Sequence, residues 1–172
     1  MDWKYLLTGF TGRIGRQQWW MGNIALIVVA LILYFAVMPL LGLSMMAGFD
    51  PAGGPDAMAG MMRKAAIAQL IMTAILAYPA TALMKKRLND RDRPDWYLYV
   101  FWAPTVVSLL LGITGLGFTT TDMGGVMMPQ PSTLSTVVGF VAMAIGLWAL
   151  VELGFFKGTA GPNQHGPDPV AG

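Results

Sequence analysis

The chain has 172 residues, 55% of them hydrophobic and only 12% charged, with a formal net charge of +2 and a mean hydropathy of +0.56. That length fits one domain, and the charged fraction is about half that of an ordinary soluble domain, too little polar surface to face water on all sides. Cysteine is absent, which excludes disulfides, thiol catalysis and thiolate metal sites and leaves the redox compartment open.

The first residues, "MDWKYLLTGFTGRIGRQQWW", lack an apolar core of the length a cleavable signal peptide needs, so the mature protein is expected to begin at Met1. Trp3, Leu6, Leu7, Phe10 and Ile14 recur at helical spacing. They predict a short amphipathic helix over about 3–15, lying flat in the membrane interface or docked on the rest of the protein. Gly9, Gly12 and Gly15 weaken it towards its end.

Four apolar runs follow, over about 19–43, 65–84, 96–118 and 133–156. Each approaches or exceeds the ~20 helical residues that cross a bilayer. In hydrocarbon the backbone must satisfy its own hydrogen bonds, so helices are expected. The alternation of a barrel strand is missing. A soluble helical bundle is the plainer alternative, but these runs show no polar face. The fold class predicted is an all-α integral membrane protein: one domain of four transmembrane helices, an N-terminal interfacial helix and a tail over 157–172.

Basic residues orient such a bundle. Lys4, Arg13 and Arg16 precede the first span, Lys85, Lys86, Arg87, Arg91 and Arg93 lie between the second and third, and Lys157 follows the fourth. The first opposite loop has only Arg63 and Lys64, and the second has no basic residue. Both termini are therefore expected in the cytoplasm, with "AGFDPAGGPDAMAGMM" and "TTTDMGGVMMPQPS" facing outward. Trp19, Trp20, Trp96 and Tyr97 fall at the predicted cytoplasmic boundary, where amphipathic rings prefer to lie.

Within the spans, Thr73, Ala77 and Thr81, and likewise Ala142 and Gly146, form small-residue seams suited to close helix approach. Pro79 and Pro104 are candidate kinks, and Pro39 lies near the end of the first span. Glu152 is the one ionisable residue inside a span, one turn from its cytoplasmic end. Its expected partner is Lys157 or an arginine of the charged segment, because one shallow carboxylate gives no proton path across the bilayer. Asn23, Gln69 and Ser108 offer hydrogen bonds between helices rather than a coordination shell.

The segment "KKRLNDRDRPDW", 85–96, holds five of the eleven basic residues with Asp90, Asp92 and Asp95 among them. A purely electrostatic lipid anchor has no use for the acids. Interleaved Arg and Asp predict instead a folded, salt-bridged loop, with Pro94 and Asp95 helping to start the third span. Nucleic-acid binding is not expected: the loop is short, close to the bilayer, and its acids repel phosphate.

"RLNDRDRPDW" resembles the Arg-Leu-His-Asp, Gly-Arg, Trp signature of the bacterial family called domain of unknown function 805. "FTGRIGRQQWW" is similar to that family's N-terminal Phe-x-Gly-Arg, Arg, aromatic-Trp pattern, and "GTAGPNQHGPDP" to its C-terminal Gly-Pro-Asn-x-Tyr-Gly-Pro-Asp-Pro ending. The three motifs bracket nearly the whole chain in the family's order. The matching positions are Phe10, Gly12, Arg13, Arg16 and Trp20 in front; Arg87, Leu88, Asp90, Arg93 and Trp96 in the middle; and Gly161, Pro162, Asn163, Gly166, Pro167, Asp168 and Pro169 in the tail. Asn89 stands for the usual His, Asp92 for a Gly, Gln18 for a common Glu and His165 for the usual Tyr. The resemblance implies a small bacterial inner-membrane protein whose activity is not established.

All three motifs fall on the predicted cytoplasmic side, so they are expected to meet: Arg13 and Arg16 pairing with Asp90 and Asp92, with the turn-rich tail packed beneath. Such a cap, centred on Arg13, Arg16, Arg87, Asp90, Arg93 and Trp96, either closes the bundle or binds an anion, a lipid headgroup or an acidic partner, since guanidinium forks suit phosphate and carboxylate. Catalysis is not expected. His165 is the sole histidine, no phosphate-binding Gly-x-x-x-x-Gly-Lys loop occurs, and a familiar nucleophile–base pair is missing. No cofactor is expected. The methionines Met45, Met46, Met58, Met61, Met62, Met127 and Met128 gather in the outward segments, where thioethers suit Cu(I) or serve as adaptable apolar filler. The functional expectation is a non-enzymatic interaction or accessory protein that associates with anionic lipid, a larger membrane complex or its own copies. A small oligomeric transporter or channel is the alternative, and a copper-binding outer face the third.

Overall fold

The computed structural model describes residues 1–43, 54–122, 124 and 127–170. Helix α1, Trp3–Leu7, starts where Asp2 accepts a hydrogen bond from the Tyr5 amide at 3.0 Å. It stops early because Gly9 (φ +71°) and Gly12 (φ +87°) take the chain into the left-handed region that glycine adopts at little cost. The interfacial helix expected over 3–15 thus contracts to five residues. Leu6 and Ile14 are buried against the bundle, while Trp3 and Phe10 remain exposed, so the segment is docked.

Helix α2, Arg16–Leu40, begins with the Gln18 side chain accepting from the Gly15 amide at 3.0 Å, half of a capping box. Helix α3 is Gly54–Asp90 and α4 is Trp96–Thr114, closed by Gly115 at φ +78°. Strands β1, Phe118–Asp122, and β2, Met127–Pro131, pair antiparallel with Phe118 opposite Pro131. Helix α5, Thr133–Ala149, is capped by the Ser132 hydroxyl accepting from the Ser135 amide at 3.2 Å, and runs on as a π-helical segment, Leu150–Phe155. Among the described residues four helices are long and apolar enough to cross a membrane: Arg16–Leu40, Ala57–Asp90, Trp96–Thr114 and Thr133–Phe155.

Three expectations change. The chain is mostly helical rather than all-α, because "TTTDMGGVMMPQPS" contributes a hairpin. Its three threonines favour extended backbone, and its prolines fit a two-stranded sheet that has only edges. Half of the charged loop is helix: α3 has 37 residues, about 55 Å, and only 91–95 turn, with Asp92 at φ +52°. Lys, Arg and Leu are good helix formers, and their charged ends find partners without leaving the helix. Finally, Asp95 precedes α4 without capping it; its carboxylate pairs with Lys85.

α2 packs on α3, α3 on α4 and α4 on α5, while α2 meets the fourth span mainly through the π-helical segment. The buried cluster of Leu6, Ile14, Trp19, Leu83, Leu88 and Leu153 lies wholly at that end, here called the cap end; the other is the hairpin end. Trp19 points into this cluster rather than resting at a lipid boundary. A Cβ on Gly22 would come within 2.6 Å of Leu83, so glycine sets the α2–α3 approach. The Thr81 hydroxyl accepts from Trp102 Nε1 at 3.0 Å, which makes the predicted seam an α3–α4 contact. Ala142 is half-buried, but nothing lies within 4 Å of a Cβ on Gly146, so the second seam is not closed.

Candidate functional site

At the cap end a carboxylate is held between two guanidiniums. Asp90 Oδ1 accepts from Arg13 Nε at 3.1 Å and lies 3.0 Å from Nη2. Asp90 Oδ2 accepts from Arg87 Nη1. Arg87 is 0% exposed, Asp90 2% and Arg13 4%. Charges so far from water persist only when paired and hydrogen-bonded throughout, and the remaining donors are used accordingly. Arg87 Nε donates to Leu153 O at 2.7 Å, its Nη2 to Phe156 O at 2.5 Å and its Nη1 to Ile14 O at 3.4 Å. Arg13 Nη1 donates to Gly161 O at 2.8 Å and Gly166 O at 3.3 Å, and Nη2 to Thr159 O at 2.7 Å.

These contacts answer a local need. A helix leaves its last carbonyls without intrahelical partners. Here the carbonyls of Leu153, Gly154, Phe155, Phe156 and Lys157 accept, in turn, from Arg87, Trp20, Arg16, Arg87 and Arg91. Four of the five bonds come from cations, which the negative end of the helix dipole also favours. Lys86 serves α1 the same way, donating to Tyr5 O, to Leu6 O at 3.2 Å and to Thr8 O at 2.7 Å. Asn89, where the resembled pattern carries His, donates from Nδ2 to Gly12 O at 2.9 Å and Phe10 O at 3.3 Å.

The tail is locked to the same place. The Thr159 amide donates to Asp90 O at 2.8 Å, and Asn163 Nδ2 to Asn89 O at 3.0 Å. Asn163 and Gly166 bridge each other, with Gly161 and Gly166 at φ +74° and +134°. Asp168 accepts from the amides of Val170 at 2.9 Å and Gly161 at 3.1 Å, and these donors hold its carboxyl below the usual range. Pro162 and Pro167 flank this turn and are exposed. A Cβ on Gly158 would stand 2.1 Å from Asp90 Oδ2, so no side chain fits there.

A second acid is also buried. Glu152 Oε1, in the π-helical segment, accepts from Arg93 Nε at 2.7 Å and Arg91 Nη2 at 3.0 Å. Its partners are loop arginines, not Lys157. The hydrogen bond to Glu152 holds the Arg93 guanidinium above its ordinary value.

The structure therefore brings the three motifs together, with different partners in places. Arg13 meets Asp90 as expected. Arg16 does not meet Asp92; it caps Phe155, and Asp92 accepts from Gln164 Nε2 at 2.8 Å, with His165 nearby. Trp96 is half exposed beside Tyr97, away from the Arg13–Asp90–Arg87 cluster. Lys86 was not singled out from the sequence. Its signal was there, because Lys86, Asn89 and Asp90 share one helical face at i, i+3 and i+4. At the hairpin end Met58 and Met62 line a pocket with Arg63, and Met128 is exposed. Met61 is half-buried. Met45, Met46 and the Met127 side chain lie outside the described residues.

Four helices of spanning length, pinned at one end by a buried Arg–Asp–Arg latch, place the chain in the class of multi-pass membrane proteins. Residues 7–167 match the family described as "Protein of unknown function (DUF805)", and the chain belongs to that family. No curated protein and no solved structure matches it.

Proposed function

We propose that this is a non-enzymatic interaction protein of the bacterial inner membrane, with the cap end in the cytoplasm, whose cap holds a rim of cations against anionic lipid headgroups. The carrying observation is the division of labour among the basic residues. Arg13, Lys86 and Arg87 are buried and wholly spent on Asp90 and backbone carbonyls, whereas Lys4 and Lys157 are exposed around them, as is Arg16 apart from its one bond to Phe155 O, and the Arg93 side chain is 41% exposed beside Glu152. The latch fixes the rim in place. Cations near an anionic surface each contribute about 1 kcal/mol. Both buried acids are held by arginines, which supports a binding rather than a chemical role.

The test is purification in mild detergent at native expression level, with mass spectrometry of co-purifying lipids and proteins. Exchanging Lys4, Arg16 and Lys157 for Gln should keep the fold and deplete anionic lipid. An acidic protein partner lost on the same exchange would redirect the reading to a complex. Unchanged company would sink it.

One observation favours the transporter alternative: Gln69, Ser108 and Ser135 line a common crevice between α3, α4 and α5. Solute flux into liposomes, abolished by Gln69→Leu, would support it.

A further inference from the structure

The hairpin half of the molecule is built unlike the cap half. Between α2, α3 and α4 lies an open groove of about 460 Å³, walled by Tyr34, Met38, Met72, Leu76 and Trp102. Its lining is apolar almost throughout. On α3 it runs from Ala65 to Leu76, about 16 Å of helix. That is roughly half the ~30 Å hydrocarbon thickness, the depth of one leaflet.

Polar groups are few, and the Thr73 hydroxyl is the deepest of them on α3. Gln69 lines the groove about 7 Å below Lys64 along the helix. It makes no hydrogen bond among the described residues, and an unmatched amide at that depth is costly. The Tyr34 phenol lines the groove as well. At the mouth is Lys64, exposed and without an acidic partner among the described residues. Lys64 Nζ lies 3.9 Å from where a Cβ on Gly42 would stand, so the ammonium reaches across from α3 to the end of α2.

Cation, then amide, then about 10 Å of wall that is apolar but for one threonine is the polarity gradient of a phospholipid read from headgroup to chain end. We infer that this groove binds one anionic phospholipid of the leaflet at the hairpin end. The phosphate pairs with Lys64, an ester carbonyl accepts from the Gln69 amide, and one acyl chain lies along α3 to Leu76. This site is at the opposite end from the rim and does not depend on it.

The test uses the full chain reconstituted in vesicles of equimolar phosphatidylglycerol and phosphatidylethanolamine, then extracted gently for native mass spectrometry. The expected result is a retained phospholipid, predominantly phosphatidylglycerol, that Leu76→Trp displaces by filling the groove. Lys64→Gln should keep a lipid but reduce the preference for phosphatidylglycerol roughly fivefold. Gln69→Leu should weaken retention of either lipid. Should Leu76→Trp fail to fold, the other substitutions, both at exposed positions, decide the matter. Retention that ignores every one of these changes overturns the inference. Retention lost only on exchanging Lys4, Arg16 and Lys157 also overturns it, while leaving the cap-end reading intact.

Discussion

Asp90 shows why a buried ion pair is poor glue and a good key. Replacing buried ion pairs by apolar groups is often harmless, whereas removing one partner typically costs 3–5 kcal/mol. Here the arginines also satisfy backbone carbonyls, so both routes should be costly. Arg13→Ala is expected to destabilise by about 3–5 kcal/mol, read as a lowered unfolding midpoint in detergent. A matched apolar set, Arg13→Leu with Arg87→Met and Asp90→Leu, should not recover the parent midpoint, because the carbonyls of Leu153, Phe156, Thr159 and Gly161 would lose their donors. Full recovery would show that the pair matters only as a charge pair. Glycines make a second contrast. Gly158→Ala drives a methyl group into the Asp90 carboxylate, whereas nothing lies within 4 Å of a Cβ on Gly139 in α5. The first should lower the midpoint; the second should leave it unchanged or raise it by up to about 1 kcal/mol of helix propensity.

Among the elements, the tail is held by polar contacts and so by pH. Asp168 is held below the ordinary carboxylate value by the Val170 and Gly161 amides. A depressed folded value means that its contribution is fully present above the unfolded value and is lost as pH falls through the folded one. Amide exchange at Gly161 and Val170 should therefore accelerate on acidification through that range, and Asp168→Asn should flatten the response. The spans were legible in the sequence because twenty apolar residues in a row admit few other readings. The tail's place was legible too, through Arg and Asp residues in motifs far apart along the chain. Two features were not. Where α3 ends is decided by Lys86, Arg87 and Asn89 finding carbonyls on other segments, and local propensity carries no trace of those partners. The π-helical turn that buries Glu152 likewise depends on Arg91 and Arg93 arriving from elsewhere. The hairpin was hidden because its threonines and prolines read equally well as a loop.

For the whole molecule, the buried cluster and the buried acids Asp90 and Glu152 gather at one end, while the helices part around grooves at the other. The absence of cysteine allows the proposed orientation to be tested with single introduced thiols. Ala160→Cys in the tail should react with a membrane-impermeant maleimide only after the cytoplasmic side is opened, and Thr120→Cys in the hairpin should react in intact cells. The reverse pattern would invert the protein.

The latch has a consequence for synthesis. Arg13 emerges from the ribosome early, but its acid comes 77 residues later and the carbonyls of Thr159 and Gly161 come 146 and 148 residues later. Chains are made from the N-terminus at roughly 5–20 residues per second. Until Asp90 is made, with two of the four spans translated, the Arg13 guanidinium has no acid to pair with, and only a chain translated through Gly166 completes its set of acceptors. A ribosome that stops before the tail leaves the Arg13 guanidinium short of acceptors and the carbonyls of Asn89 and Asp90 short of donors at one end of the bundle. Such a defect sets unfinished copies apart from finished ones for the proteases that survey the membrane.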